Sequence, residues 1–196
     1  MDFEMVTVRE DVTLEVVLRY LRRFDELPDH TAQLFVVDRD EHLRGVLPLN
    51  VLLVNAPNNP TGWTLARDEQ RAILEHCRRT GTWIVADEVY ERLWYADGKA
   101  APSFLDVAEP EDRLVVAHSF SKSFLMTGWR LGWLAVPESL IPAIGKLIEF
   151  NTSCAPVFVQ RAGLAALARA DDFVPGLVQR LKACRDTLLP LLVALA

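Results

Sequence analysis

Four apolar runs punctuate the second part of this chain: VLLVN (51–55), WIVADE (83–88), RLVVAHS (113–119) and GWLAV (132–136), with helical periodicity between and after them. Continuous apolar runs suit strands covered on both faces, and the intervening helices are the covers. The pattern therefore predicts an α/β fold, a mostly parallel sheet flanked by helices. The first such helix spans roughly Leu65 to Thr80 and stops at Gly81. After the last run the chain turns helical through SLIPAIGKLIEF, VQRAGLAALARA and a final segment that sets Phe173, Leu177, Leu181, Cys184 and Leu188 on one face. In open α/β sheets ligands bind beyond the carboxyl ends of the strands. Here those ends carry polar clusters: NAPNNPTG, ADEVY and HSFSKS.

Residues 1–53 follow another rhythm. FEMVTVRE alternates like an edge strand, and TLEVVLRYLRRF places Leu14, Val17, Leu18 and Leu21 on one helical face behind Thr13. QLFVVD and LRGVLPL then read as two strands joined by RDEH. Charge shifts at the same place: residues 1–50 hold 11 Asp and Glu against 6 Arg, whereas residues 51–196 hold 16 acids against 15 bases. The expected organisation is a small strand-helix-strand-strand unit, 1–53, followed by a larger unit, 54–196.

The net charge of −6 argues against nucleic acid as a partner, which needs a basic face. No apolar stretch is long enough to span a membrane, and the acidic start MDFEMVTVRED is unlike a signal peptide, so a cytoplasmic location is expected. Cys77, Cys154 and Cys184 lack CxxC spacing and the four histidines form no HExxH; buried, reduced thiols and no metal site are the expectation.

Three clusters taken in order, NNPTG, DEVY and SFSKSFLMTGWRLG, closely resemble the pyridoxal-phosphate-dependent aminotransferases of fold type I, class I/II, over about residues 51–190. The resemblance implies pyridoxal phosphate as cofactor and amino transfer between an amino acid and a 2-oxo acid. It implies Lys122 as covalent anchor of the cofactor aldehyde and proton shuttle, and Asp87 as the carboxylate that keeps the ring nitrogen protonated. Asn59 and Tyr90 match the donors to the ring hydroxyl; Ser119, Ser121 and Arg130 match the phosphate ligands, where hydroxyls and a planar guanidinium suit a dianion. Asn55 and Asn58 read as turn-shaping residues, Glu88 as a structural companion of Asp87, and Trp129 and Trp133 as packing. Leu125 stands where many relatives carry a small residue.

Complete relatives add an earlier half with a phosphate loop and a ring-stacking aromatic, and a later small domain with the arginine that grips the substrate carboxylate. None of these can be placed in this sequence, so weak cofactor affinity and little turnover are expected. A homodimer is implied, because sites of this family are usually completed between subunits. Residues 1–53 resemble half of a CBS domain pair, of the kind found in the cytosolic region of MgtE-type magnesium transporters, which points to a fused chain. Gly45 is followed by Pro48 and Asn50 rather than by a ribose-binding pattern. The alternative function is a non-catalytic regulatory fragment sensing magnesium or a nucleotide.

Overall fold

The structure is a computed structural model, and it describes residues 7–9, 11–12, 33–48, 50–96 and 98–193. Two compact units divide at Val51 and Leu52. The helix expected over residues 13–24 lies outside the described residues.

The first unit contains β1 (Thr7–Arg9), β2 (Gln33–Val37) and β3 (Leu43–Pro48), ordered β1-β2-β3. β1 runs parallel to β2, with Val8 opposite Val36; β2 is antiparallel to β3, with a register shift between Val36 and Val37. Asp38 builds the β2–β3 turn: its Oδ1 accepts from the backbone N–H of Asp40 at 2.9 Å and of His42 at 3.0 Å, while Oδ2 faces Arg44 Nε at 3.1 Å. These donors, His42 N–H foremost, hold the Asp38 carboxyl below the usual carboxylate range. Asp40 and His42 come close to Asp38. The Asp38 carboxylate thus serves the turn.

The second unit is built on β4 (Val51–Asn55), β5 (Trp83–Asp87), β6 (Leu114–Ser119) and β7 (Gly132–Ala135), in the order β4-β5-β6-β7. β5 and β6 are parallel, with Ile84 opposite Leu114 and Asp87 opposite Ala117. GWLAV is a strand as expected, but it returns antiparallel along β6, Ser119 facing Gly132, so the sheet is mixed. Burial alternates on β5 and β6 instead of being complete on both faces. Ile84, Ala86, Leu114 and Val116 form the buried side, packed with Leu65, Leu74, Cys77 and Phe104.

Helix α1 (Arg67–Thr80) covers that side through Gln70, Leu74 and Cys77, spaced to lie on one stripe. Its start is held by Glu69, whose carboxylate accepts from Ala66 N–H at 2.8 Å, and its end by Gly81, left-handed at φ 71°. Arg78 on its last turn donates to both oxygens of buried Asp112, at 2.7 and 2.6 Å, and this pairing lowers the Asp112 pKa despite burial.

Three further helices follow: α2 (Ile141–Thr152), α3 (Val157–Ala168) and α4 (Ala170–Val193). The face expected on the last helix is half realised. Leu177 is buried and Phe173 packs beside Ala170 and Val174, whereas Cys184 and Leu188 are exposed, as is every described residue from Lys182 onward. The cysteines likewise differ from expectation: Cys77 is buried, but Cys154 and Cys184 are exposed. No helix among the described residues is long and apolar enough to cross a membrane.

Ile84 has no exposed surface. Ile84→Ala should cost about 3 kcal/mol of unfolding free energy, whereas Leu53→Ala, on a side chain 70% exposed, should stay within about 0.5 kcal/mol. Urea denaturation of the two variants measures both.

Candidate active site

The first turn of the site is tied by its own amides. Asn55, ending β4, donates from Nδ2 to the Asp87 carbonyl at 3.3 Å, while its Oδ1 accepts from Asn58 Nδ2 at 2.9 Å and Asn59 N–H at 3.3 Å. Asn58 Oδ1 in turn accepts from the Thr61 hydroxyl at 2.8 Å. Two of the three asparagines are thus spent on holding the turn, as the sequence suggested, and the third projects outward: Asn59 Nδ2 donates to Tyr90 Oη at 3.0 Å.

Tyr90 sits in the turn that follows β5. The ladder between β5 and β6 continues past the strand, Glu88 N–H donating to the Ala117 carbonyl at 3.0 Å, so Asp87 and its turn are fixed against the end of β6. Glu88 anchors the turn from inside. It is 2% exposed, its Oε2 accepting from Ser103 Oγ at 2.5 Å and its Oε1 from Phe104 N–H at 2.9 Å. Desolvation raises the Glu88 pKa, with these two donors opposing it.

The third element is the loop after β6. Ser119 Oγ accepts from Ser121 N–H at 3.0 Å, and Lys122 Nζ lies 5.3 Å from the centre of the Tyr90 ring, within cation–π range. Two backbone bonds pin the loop, Phe120 N–H to the Leu131 carbonyl at 3.1 Å and Met126 N–H to the Phe120 carbonyl at 3.2 Å. The Thr127 hydroxyl adds a bond to the Ser121 carbonyl at 3.0 Å. Phe120, Phe124 and Met126 anchor it against α4. Leu125 and Arg130 take the left-handed conformation, φ 54° and 50°. For Leu125 this is a physical reason for a small residue at that position, since glycine bears no steric cost there. Gly132 is required by a close approach: a Cβ would stand 2.6 Å from the His118 carbonyl.

Asn59, Tyr90 and Lys122 are therefore joined by direct contacts, and Asp87 and Ser119 stand at the ends of neighbouring parallel strands. Ser121 joins through its backbone. Arg130 stands apart: its exposed guanidinium donates to the Thr127 carbonyl at 2.9 Å. Among the described residues neither Lys122 nor Arg130 pairs with a carboxylate, and Lys122 is the cation that lies beside the Asn59–Tyr90 pair. Trp133 stacks on His118 with ring centres 4.9 Å apart though 37% exposed, and Trp129 is 45% exposed. Sequence reasoning passed over Glu91 and His118, which directly follow Tyr90 and directly precede Ser119. Their adjacency to two candidate residues was the available signal.

The sequence model of a family described as aminotransferase class I and II matches residues 26–195, reaching back into the first unit. The aspartate aminotransferase of Thermotoga maritima is 39% identical over 129 residues, 65% of this chain and 34% of that protein. The valine–pyruvate aminotransferase of Mycobacterium tuberculosis is 40% identical over 119 residues, 61% of this chain and 30% of that protein. Among solved structures, a multiply substituted aspartate aminotransferase of Thermus thermophilus complexed with tryptophan superposes with a TM-score of 0.68 at 33% identity, covering 74% of this chain and 38% of that one. The chain thus spans about a third of the length of the relatives it matches.

Glu88 sets a testable pH response. A carboxyl whose folded pKa is raised binds more protons folded than unfolded, so stability should fall as pH rises from the unfolded value, about 4.3 for glutamate, through the higher folded value. Glu88→Gln should remove that portion of the decline; urea midpoints between pH 4 and 8, compared with the parent protein, measure it.

Proposed function

We propose, from the premise that this chain belongs to the class I and II aminotransferase family, that it carries the cofactor-anchoring part of an enzyme moving an amino group between an amino acid and a 2-oxo acid. Pyridoxal phosphate is the cofactor of this family. The observation that carries the reading is the convergence of Asn59, Tyr90 and Lys122 at the mouths of three adjacent strands.

The residues present fit that group. Lys122, free of any carboxylate partner among the described residues, supplies the amine for its aldehyde. The Asn59–Tyr90 pair, already hydrogen-bonded, offers donors for its ring hydroxyl. Asp87, half-buried beside β6, supplies the carboxylate for its ring nitrogen. Ser119, Ser121 and Arg130 supply hydroxyls and a guanidinium for its phosphate. When bound, pyridoxal phosphate supplies an electron sink for the carbanion formed at the substrate's α-carbon. The protein's part in that chemistry would be to hold and move a proton with the Lys122 amine, to set the Asp87 carboxylate against the ring nitrogen, and to steady the phenol of Tyr90 through Asn59. The substrate class is amino acids and 2-oxo acids.

A homodimer belongs to the same proposal. Ile141, Leu147, Ile148 and Phe150 on α2 and Val157 and Phe158 at the start of α3 are all exposed, Phe150 to 93%. Large apolar side chains exposed in such number on two consecutive helices suit an interface. Light scattering coupled to size-exclusion chromatography should give a dimer, reduced to a monomer by Phe150→Glu with Phe158→Glu. A cytoplasmic location agrees with three free cysteines. For residues 1–53 we keep the CBS-like half unit as a proposal, supported by the pairing of β1 with β2 and of β2 with β3, and residues 54–196 as the aminotransferase unit.

The deciding experiment is pyridoxal phosphate addition, borohydride reduction to make any lysine adduct permanent, and peptide mass mapping. The expected outcome is selective labelling of Lys122 among the four lysines, lost in Lys122→Ala. Labelling spread evenly over Lys99, Lys122, Lys146 and Lys182 would reject the reading.

A further inference from the structure

On the side of the β6 backbone away from Ser119, two buried polar atoms face one another. His118 Nδ1 and Glu91 Oε2 lie 3.8 Å apart, on side chains 8% and 12% exposed, and neither atom makes a hydrogen bond among the described residues. An unsatisfied polar atom inside a protein costs roughly 1–3 kcal/mol, so two of them directed at each other need a reason. Their places in the chain supply it. Glu91 directly follows Tyr90, and His118 directly precedes Ser119. The pair therefore spans the same two segments, the turn after β5 and the loop after β6, that the candidate site spans from the other side.

The surroundings restrict what either group can do. His118 is held flat by Trp133, stacked at 4.9 Å, and Trp133 is held in turn by the edge of Phe120 at 5.1 Å. Glu91 has Arg92 Nε 3.6 Å from its other oxygen, and Arg92 lies 5.8 Å from the centre of the Phe124 ring. The carboxylate of Glu88 is the remaining titratable group close enough to act on both. Glu91 thus has one oxygen near a cation and one aimed at the imidazole. Among the described residues His118 has no acceptor near Nδ1 other than Glu91.

We infer that Glu91 and His118 form a buried clamp: Glu91 holds the imidazole proton on Nδ1, and the pair positions Tyr90 relative to Ser119 and Lys122 for the cofactor. Neither residue touches the cofactor; both act through the segments they join. The inference rests on the proposed cofactor reading.

Two substitutions at His118 separate the clamp from mere packing. His118→Phe keeps a ring to stack on Trp133 but has no proton to give, whereas His118→Asn loses the ring but places an amide N–H near the Nδ1 position. For contacting pairs coupling energies reach a few kcal/mol, so His118→Phe and Glu91→Leu should each weaken pyridoxal phosphate binding about tenfold, their double variant no more than about tenfold, and His118→Asn about twofold. Binding is read by the concentration dependence of selective Lys122 labelling, on variants first shown by circular dichroism to be folded. Tight binding by His118→Phe with loss in His118→Asn would overturn the clamp, as would additive losses in the double variant.

A second readout needs no cofactor. In 15N-histidine NMR of the unliganded protein the His118 proton should reside on Nδ1 and leave it in Glu91→Leu, which offers no acceptor. A signal indifferent to that substitution overturns the clamp while the cofactor reading stands. If the parent protein takes up no pyridoxal phosphate, the cofactor reading fails, and the positioning role fails with it.

Discussion

Everything in the candidate site depends on the parallel register of β5 against β6. Asp87 lies opposite Ala117, and the next rung of the ladder, from Glu88 N–H to the Ala117 carbonyl, extends beyond the strand into the turn. A one-residue slip in a strand moves every side chain to the other face. Here it would carry Asp87 away from the face that Ser119 shares and bring Glu88, whose carboxylate accepts from Ser103 and Phe104, out of its pocket. The burial of Ile84 and Val116 on one side and the half-exposure of Asp87 and Ser119 on the other are thus two consequences of one register. Stability and chemistry are fixed together.

The same division explains why polar groups occur inside this unit. Gln70 donates to the Pro102 carbonyl at 3.0 Å, and Asp112 accepts from Arg78 and from Glu109 N–H at 2.7 Å. Each ties an irregular segment to a regular one. The stretch between β5 and β6 has no long helix of its own among the described residues, only a short 3-10 turn at Phe104–Asp106. Backbone polar groups in such a stretch are paired partly with one another, as Ala101 N–H with the Glu91 carbonyl at 2.8 Å, and partly with side chains, Glu88, Gln70 and Asp112 among them. Glu88 is therefore an internal strut beneath the turn that bears Tyr90.

The positions of the candidate site residues on the fold were legible because they are local. Asn59 sits in a turn whose amides bond within a few residues, and Asp87 and Ser119 are the last residues of apolar strands, so strand ends alone locate them. The helix ending at Gly81 was legible for the same reason, its stop being a single left-handed residue. What depends on contacts distant in sequence was not legible. Nothing in GWLAV says that it runs antiparallel to its neighbour, since an apolar edge strand reads alike in either direction. Cys184 and Leu188 share the helical face of Leu177, yet the packing that buries Leu177 ends before them. The Glu91–His118 juxtaposition escaped because it joins residues of two different strand ends, and periodicity describes one element at a time.

The loop between β6 and β7 shows how such a site can be kept in a costly shape. Leu125 and Arg130 both occupy the left-handed region, at about 1–2 kcal/mol each for residues bearing a Cβ. Against this stand the buried rings of Phe120 and Phe124, worth about 1.5–3 kcal/mol each on burial, together with Met126 and three bonds that close the loop on itself. Packing therefore offsets strain, but only while α4 remains seated on those rings. Gly163 on α3 shows how little slack there is: a Cβ there would stand 2.6 Å from Leu131 and 3.1 Å from Phe120. The segment that presents Ser119, Ser121 and Lys122 is thus held in place by helices remote in sequence, and its geometry is a property of the whole unit rather than of the motif that identifies it.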